Sequence, residues 1–121
     1  ANSDNVFRGG LTDKYVDADT LIQHLSFEPI EPKVFAGEAV SDTLVQFKTP
    51  APDFELSLIR LGARKKHTQD ATLGPEILLV LEGEVLVNDN LQLSKGKSLF
   101  FPAGSHYTLS GNAEIYKAGM P

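Results

Sequence analysis

The chain has 121 residues, a formal net charge of −5, 22% charged residues and 41% hydrophobic residues. This composition fits one globular domain with a packed core, and the acidic net charge without a long block of like charge argues against a nucleic-acid partner. The absence of cysteine excludes disulfide frameworks and thiolate metal sites, and it fits a reducing, cytoplasmic compartment. The longest apolar run, residues 77–81, is too short to span a membrane, so we expect no membrane partner.

The start of the chain predicts a loop and one short helix. Because the first residue is Ala1 rather than Met, we expect a fragment or a processed product. No signal peptide is visible in the sequence. Apolar residues recur at helical spacing within residues 17–25, and either Asp17 or Asp19 can cap the exposed amides of that helix. Two prolines within residues 28–33 end the helix and predict a linker.

After this linker, the pattern is that of short β-strands separated by turns. Residues 43–47 and 54–58 alternate apolar and polar side chains, and residues 76–81 are nearly continuously apolar, as in a strand buried on both faces. We expect Gly83 to break that strand at a hairpin turn, with solvated carboxylates on either side. Strands are also predicted at residues 84–87, 91–93, 98–101, 106–109 and 113–117. This spacing predicts an all-β barrel or sandwich with one short N-terminal helix.

The spacing of three turn residues narrows the fold class. Five residues separate Gly96 from Pro102, and one residue separates Pro102 from Gly104. Gly96 makes the turn into a strand, five residues span that strand, and Pro102 with Gly104 forms the next corner. The pattern resembles the second sequence motif of the cupin superfamily, so we expect a mainly β, cupin-like jelly-roll barrel. The preceding hairpin carries no histidine, only the acids Glu76, Glu82 and Glu84. We therefore expect no metal inside this barrel.

Residues 1–14 carry the most specific motif of the chain. Ser3, Asp4 and Asn5 are followed at fixed spacing by Arg8, Gly10, Thr12 and Lys14. This ungapped run resembles the closing half of the signature of type I, zinc-dependent mannose-6-phosphate isomerases. The sequence departs from that pattern at Phe7, where an aliphatic residue is usual, at Gly9, where Ala is usual, and at Asp13, where Pro is usual. With the helix and the C-terminal cupin-like barrel, the resemblance covers the whole chain.

The resemblance implies an aldose–ketose isomerase. Members of the family interconvert mannose 6-phosphate and fructose 6-phosphate through an enediol intermediate, and zinc polarises the carbonyl group. In the family the zinc ligands precede the segment matched here. The resemblance therefore implies zinc in the full-length enzyme, no zinc in this fragment, and a preceding zinc-binding domain as its partner. The isolated fragment is expected to be inactive.

The same motif assigns site residues. It places a catalytic arginine at Arg8, whose guanidinium offers a permanently charged fork to a sugar oxygen or a phosphate. Gly9 and Gly10 would let the substrate approach the backbone closely, and Lys14 is the second substrate-binding candidate, as a mobile positive charge. The substrate implied is a small-molecule sugar phosphate.

Two alternatives stay open at this point. Arg8 could pair with Asp4 or Asp13 on a solvated loop, and Asp4 with Asn5 could fix that loop by hydrogen bonds. The chain could also be a non-catalytic cupin module that binds a sugar phosphate or a protein partner. We expect a domain boundary at residue 28: residues 1–28 would end the catalytic-domain segment and contain the helix, and residues 29–121 would form the barrel.

The three histidines have simpler interpretations. We expect His24, on the helix, to be partly buried by packing. His67 lies in the basic run 64–67 and is predicted to occupy a solvated turn. His106 follows the barrel corner one position before the place where a cupin metal ligand is usual, and it is expected to be a hydrogen-bonded strand residue.

Overall fold

The structure is a computed structural model, and it describes residues 6–120. The chain divides into two compact units, the first ending at Val34 and the second beginning at Phe35. The first unit contains the helix, and the second contains all the strands of the described chain. Ser3, Asp4 and Asn5 lie outside the described residues.

The helix of the first unit, α1, spans Ala18–His24. Asp17 is its N-cap: Oδ1 accepts a hydrogen bond from the Thr20 backbone N–H at 3.0 Å, and Oδ2 accepts one from the Thr20 hydroxyl at 2.8 Å. These two bonds, the backbone bond first, lower the pKa of Asp17 because they stabilise its carboxylate. Of the two predicted caps, the chain therefore uses Asp17. Within residues 6–120, no helix is long and apolar enough to cross a bilayer.

The second unit consists of antiparallel strands. In chain order they are β1 (Glu38–Ala39), β2 (Leu44–Phe47), β3 (Glu55–Leu61), β4 (Lys66–Gln69), β5 (Glu76–Val87), β6 (Leu91–Ser94), β7 (Ser98–Phe101) and β8 (Tyr107–Gly119). The predicted strands at 106–109 and 113–117 are thus one continuous strand, β8. The mainly β fold class is confirmed.

Strands β5 and β8 are long because each takes part in both halves of the sheet. The first half of β5 pairs with β7 and its second half with β6. Likewise, β8 pairs with β4 through residues 107–110 and with β3 through residues 113–119. One half of the sheet therefore has the order β1-β2-β3-β8-β5-β7, and the other has the order β4-β8-β5-β6. Strands that bend from one layer into the next are how two packed layers share a corner.

The hydrophobic core is formed by inward-facing residues of both halves. Leu78, Val80 and Ile115 come from the first half, and Val85 and Leu109 come from the second. The remaining buried members of the same cluster are Ile59, Leu61, Val87, Tyr107 and Ala113. Burial of this set is the main favourable free-energy contribution to folding of the unit.

The prediction that Gly83 ends a strand at a hairpin turn is wrong. Strand β5 runs through Gly83 and bends at a β-bulge, in which Leu81 is the extra residue. Gly83 has a φ of +78°, and a Cβ atom there would lie 2.0 Å from the backbone oxygen of Asn112 on β8. The glycine therefore allows a close approach of two strands at the bend. The flanking Glu82 and Glu84 are exposed strand residues rather than turn residues.

The predicted corner around β7 is confirmed. Gly96, with a φ of +81°, leads into β7, and Gly104, with a φ of +78°, follows it. The Pro102 carbonyl oxygen accepts a hydrogen bond from the Thr72 hydroxyl at 2.8 Å, and the Gly104 N–H donates to the Thr72 carbonyl at 2.8 Å. Asn88 and Asp89 form the tight turn between β5 and β6, and both have a positive φ.

The outer face of β5 differs from the prediction. Residues 76–81 were expected to be buried on both faces, but only Glu76, Leu78 and Val80 are buried. The alternate residues Ile77 and Leu79 are exposed. The inward side chains pack in the core of the unit, whereas no part of the chain that the structure describes buries the outward ones.

Candidate substrate-binding segment and barrel interior

Arg8 lies on the loop that leads into α1. Its carbonyl oxygen accepts a hydrogen bond from the backbone N–H of Asp17 at 3.1 Å, which ties the loop to the N-cap of the helix. The Arg8 side chain is half-buried, and among the described ion pairs none joins it to Asp13. The pairing with Asp13 that the sequence allowed is therefore not formed, and the one with Asp4 lies outside the described residues.

The two glycines after Arg8 have different surroundings. A Cβ atom on Gly9 would lie 2.7 Å from Cδ2 of Leu21, so this glycine lies directly against α1. Gly10 has a φ of +154° and open space where a Cβ atom would be. The next residue, Leu11, has a φ of +55° and is fully exposed. The backbone at Gly10 is therefore accessible, whereas Gly9 serves the packing of the loop on the helix.

Lys14 is exposed, and its backbone N–H donates to the Thr12 hydroxyl at 3.2 Å. This bond stabilises a local turn, in which the exposed Asp13 stands where the family pattern has proline. The described contacts join Arg8 and Gly9 to the helix, and they do not include a contact between Lys14 and Arg8. Lys14 is therefore a separate positive charge on the same segment.

All three histidines differ from their predicted environments. His24 is exposed, and its ring stacks on Phe7 with centroids 5.1 Å apart. His106 is also exposed and precedes β8, so the inward position after the corner belongs to Tyr107. His67, expected in a solvated turn, is buried on β4, because that strand begins at Lys66 and alternation directs the next side chain inward.

The barrel interior holds a buried ion pair that is not apparent from the local motifs. Lys117 Nζ lies 3.0 Å from Glu76 Oε1, and both side chains are buried. The Tyr107 hydroxyl donates to the second oxygen, Glu76 Oε2, at 2.8 Å, and its ring stacks on Phe101 at 4.2 Å. Burial, and then the bond to Glu76, raise the pKa of Tyr107 far above its ordinary value. The phenol is therefore a permanent hydrogen-bond donor.

This interior does not fit a zinc ion. Among residues 6–120, no group of three or more His, Asp or Glu side chains is arranged to hold a metal. Both oxygens of the buried Glu76 carboxylate are already bonded, one to the Lys117 ammonium and one to the Tyr107 phenol. A zinc site needs several free ligand atoms, which these residues do not offer.

His67 is the second unusual group of the interior. Its Nδ1 lies 3.1 Å from the Thr43 hydroxyl, and its buried Nε2 has no hydrogen-bond partner in the described part of the chain. Burial is the first cause that lowers the pKa of His67, and repulsion from Lys117 is the second, while Glu76 acts in the opposite direction. His67 is therefore neutral in the folded chain at neutral pH.

This lowered pKa predicts acid sensitivity. Below about pH 6.5, an unfolded histidine takes up a proton more readily than folded His67 does. The free energy of unfolding therefore decreases as the pH is lowered, by up to about 1.4 kcal/mol per pH unit. We expect urea denaturation between pH 7 and pH 5, followed by circular dichroism, to give this slope in the wild type and a smaller one in His67→Gln. The control His106→Gln should keep the wild-type slope. Equal slopes in all three proteins would contradict the assignment.

A surface groove of the barrel unit combines basic and acidic side chains. It contains Arg60 and Lys65, but Arg60 Nε is bonded to Glu114 Oε1 at 3.3 Å. Lys65 Nζ donates to the Asp42 carbonyl oxygen at 3.2 Å. Glu82 lines the same groove, so its acidic and basic groups offset each other. The groove does not favour a sugar phosphate, and Arg8 is the better candidate.

Comparison with known proteins agrees with these observations. Mannose-6-phosphate isomerase 1 of Arabidopsis thaliana is 33% identical over 125 residues, which cover 99% of this chain and 29% of the plant protein. Mannose-6-phosphate isomerase of Escherichia coli is 33% identical over 120 residues, which cover 95% of this chain and 30% of the bacterial protein. The chain is therefore similar to about 30% of the length of each of these mannose-6-phosphate isomerases. No protein-family model matches it.

Solved structures support the same relationship. The apo form of mannose 6-phosphate isomerase from Salmonella typhimurium superimposes with a TM-score of 0.77 and 33% sequence identity, over 99% of this chain and 32% of that chain. The E264A mutant of phosphomannose isomerase from the same organism gives a TM-score of 0.78. The resemblance and the cupin-like fold expected from the sequence are thus confirmed, and the chain spans about a third of the isomerases that it matches.

Proposed function

We propose that the chain is the C-terminal portion of a mannose-6-phosphate isomerase that interconverts mannose 6-phosphate and fructose 6-phosphate. The observation that carries this proposal is that the match to such isomerases extends over 99% of the chain, and so includes the Arg8 segment as well as the barrel. The absence of cysteine is compatible with a cytoplasmic enzyme.

Arg8 is proposed to contact the substrate. The isomerisation moves a proton between C1 and C2, and the enediolate that forms, like the phosphate, is negatively charged. A guanidinium held in place by the fold stabilises the negative charge of the transition state more than water would. The half-buried Arg8 side chain, and the hydrogen bond that its carbonyl oxygen accepts from the Asp17 N–H at the helix N-cap, support this role. Accessible backbone at Gly10 and the exposed Lys14 ammonium complete the proposed substrate-binding segment.

Zinc is proposed to belong to the portion of the enzyme that precedes this chain. The resemblance implies the metal, which would polarise the substrate carbonyl, but the described residues form no site for it. This chain therefore contributes positive charge to the reaction rather than the electrophilic metal.

The first unit is proposed to pack on that preceding portion. No residue of α1 is buried, and several large apolar side chains around the helix are almost fully exposed, namely Leu11, Tyr15, Phe27, Ile30 and Val34. A helix of seven residues is not stable in water without tertiary packing. We therefore expect Arg8 to reach its working position only in the complete enzyme, and we expect the isolated chain to lack isomerase activity.

The test is Arg8→Ala in the full-length enzyme. We expect kcat/KM for mannose 6-phosphate to fall about 100-fold, because a charge that stabilises the transition state is lost. The thermal unfolding midpoint should not change. Arg64→Ala, which removes an exposed arginine of the barrel unit, is the matched control and should leave kcat/KM near the wild-type value. An Arg8→Ala enzyme with unchanged kcat/KM would remove Arg8 from the proposed site.

A further inference from the structure

The outer face of β5 presents an apolar surface without a cover. Along the first half of this strand every second side chain is buried in the core, while Ile77 is 51% exposed, Leu79 is 41% exposed and Leu81 is 42% exposed. On β7, Phe100 stands opposite Ile77 and is 59% exposed. We call these four residues, Ile77, Leu79, Leu81 and Phe100, the outer stripe.

The cross-strand neighbours of Ile77 and Leu79 are uncharged. Leu79 stands opposite Ser98 on β7 and Tyr116 on β8, and Ile77 has Ala118 as its partner on β8. No ionised side chain therefore lies between Ile77 or Leu79 and their partners on β7 and β8, and the exposed Glu82 marks the end of the stripe after Leu81. Surfaces of monomeric proteins rarely expose a continuous apolar patch of this kind, and where they do it is usually a contact site.

Another part of the same sheet face is covered within the unit. On β2, Val45 and Phe47 lie against the chain at Gly37, where a Cβ atom would lie within 2.3 Å of Val45 Cγ1. Residues of the outer stripe, on β5 and β7, have no such cover in the described chain. The sheet face is thus covered at β2 and exposed at β5 and β7.

The composition of β5 is that of a strand buried on both faces. Residues 77–81 are apolar at every position, which is typical of a strand that is buried on both faces, whereas a strand with one solvated face alternates with polar residues. The core of the unit buries one face only. The second face therefore has the composition of a surface buried by a further layer.

We propose that the outer stripe is the surface by which the barrel docks on the portion of the isomerase that lies outside this chain. The inference depends on the proposed function, in which the chain belongs to a longer enzyme. The chain covers 29% to 32% of the length of its isomerase relatives, so more than two thirds of such an enzyme is available to cover the stripe. The occupant is an apolar, uncharged surface of that portion, because an ionised group would lose its hydration against the stripe.

Thiol labelling in the full-length enzyme tests this docking. Leu79→Cys carries the probe on the outer stripe, and Leu91→Cys is the matched control, because Leu91 is a strand leucine of the same unit with 43% exposure against 41% for Leu79. Alkylation at each site is followed by mass spectrometry of its peptide, in native buffer and in denaturant. We expect Cys labelling at position 79 to be at least about tenfold slower than at position 91 in native buffer, and equal in denaturant. Equal native rates would overturn the docking assignment.

Two further readouts identify the occupant. The protection at position 79 should not change over a 100-fold dilution of the enzyme; protection lost on dilution would mean that a second copy covers the stripe, against our proposal. Isomerase activity of the same preparation separates the two hypotheses. Protection without any turnover of mannose 6-phosphate would contradict the proposed function alone, whereas turnover with rapid labelling at position 79 would contradict the docking alone.

Discussion

Lys117→Met is expected to lower the free energy of unfolding of this chain by about 3–5 kcal/mol. Lys117 Nζ lies 3.0 Å from Glu76 Oε1 in the barrel interior, with both side chains buried. The substitution removes the ammonium and leaves a buried carboxylate with the Tyr107 hydroxyl as its described hydrogen-bond donor. Glu76→Gln should cost a similar amount, because it leaves the ammonium without its negative partner. Urea denaturation followed by circular dichroism measures both changes.

The double variant Glu76→Gln/Lys117→Met distinguishes a charge effect from a packing effect. It removes both charges, while Gln at position 76 can still accept the hydrogen bond from Tyr107. We expect the double variant to lose less than either single variant, because a buried pair costs most when one partner is left alone. Lys95→Met, which removes the cation of the exposed Lys95–Glu82 pair, should leave the unfolding midpoint near the wild-type value. Additive losses from the two single variants would contradict this account.

The sequence predicted the fold class, but it did not predict the ion pair between Glu76 and Lys117. The strand pattern, the turn residues and the Gly96 to Gly104 corner predicted the fold class, because these signals are local in the chain. The period of two along β5 also places Glu76 on the same face as Leu78 and Val80. Glu76 and Lys117 are 41 residues apart in the sequence. No local sequence signal gives the strand register that brings these two residues together. The prediction of a turn at His67 is wrong for a related reason. The basic residues 64–66 are typical of a solvated turn, although β4 begins at Lys66.

The candidate site was predicted in a different way. Arg8, Gly9, Gly10 and Lys14 came from a motif, and their roles remain proposals. The structure adds that Gly9 packs on α1 and that Arg8 is tied to the helix N-cap through its carbonyl oxygen. The sequence could not indicate that residues 77–81 have one uncovered face. A continuous apolar run predicts that both faces of a strand are buried, but it does not show which part of the protein buries each face.

Gly83→Ala is expected to destabilise the chain by about 2–5 kcal/mol, through two separate effects. A residue with a side chain at a φ of +78° costs about 1–2 kcal/mol relative to glycine. The new Cβ atom would also lie 2.0 Å from the backbone oxygen of Asn112, so β5 and β8 would have to separate at the bend, which adds about 1–3 kcal/mol of overpacking. A flexible side chain could move away, but this oxygen belongs to a paired strand.

Gly104→Ala measures the first effect alone, the cost of the backbone conformation. Gly104 has the same φ of +78°, but a Cβ atom there would have no atom within 4 Å. Its substitution should therefore cost only the backbone conformation, about 1–2 kcal/mol. The difference between the two variants in urea denaturation measures the cost of separating β5 from β8 at the bulge. If both variants lost the same stability, the close approach at Gly83 would contribute nothing, and the glycine would be needed there for its φ alone.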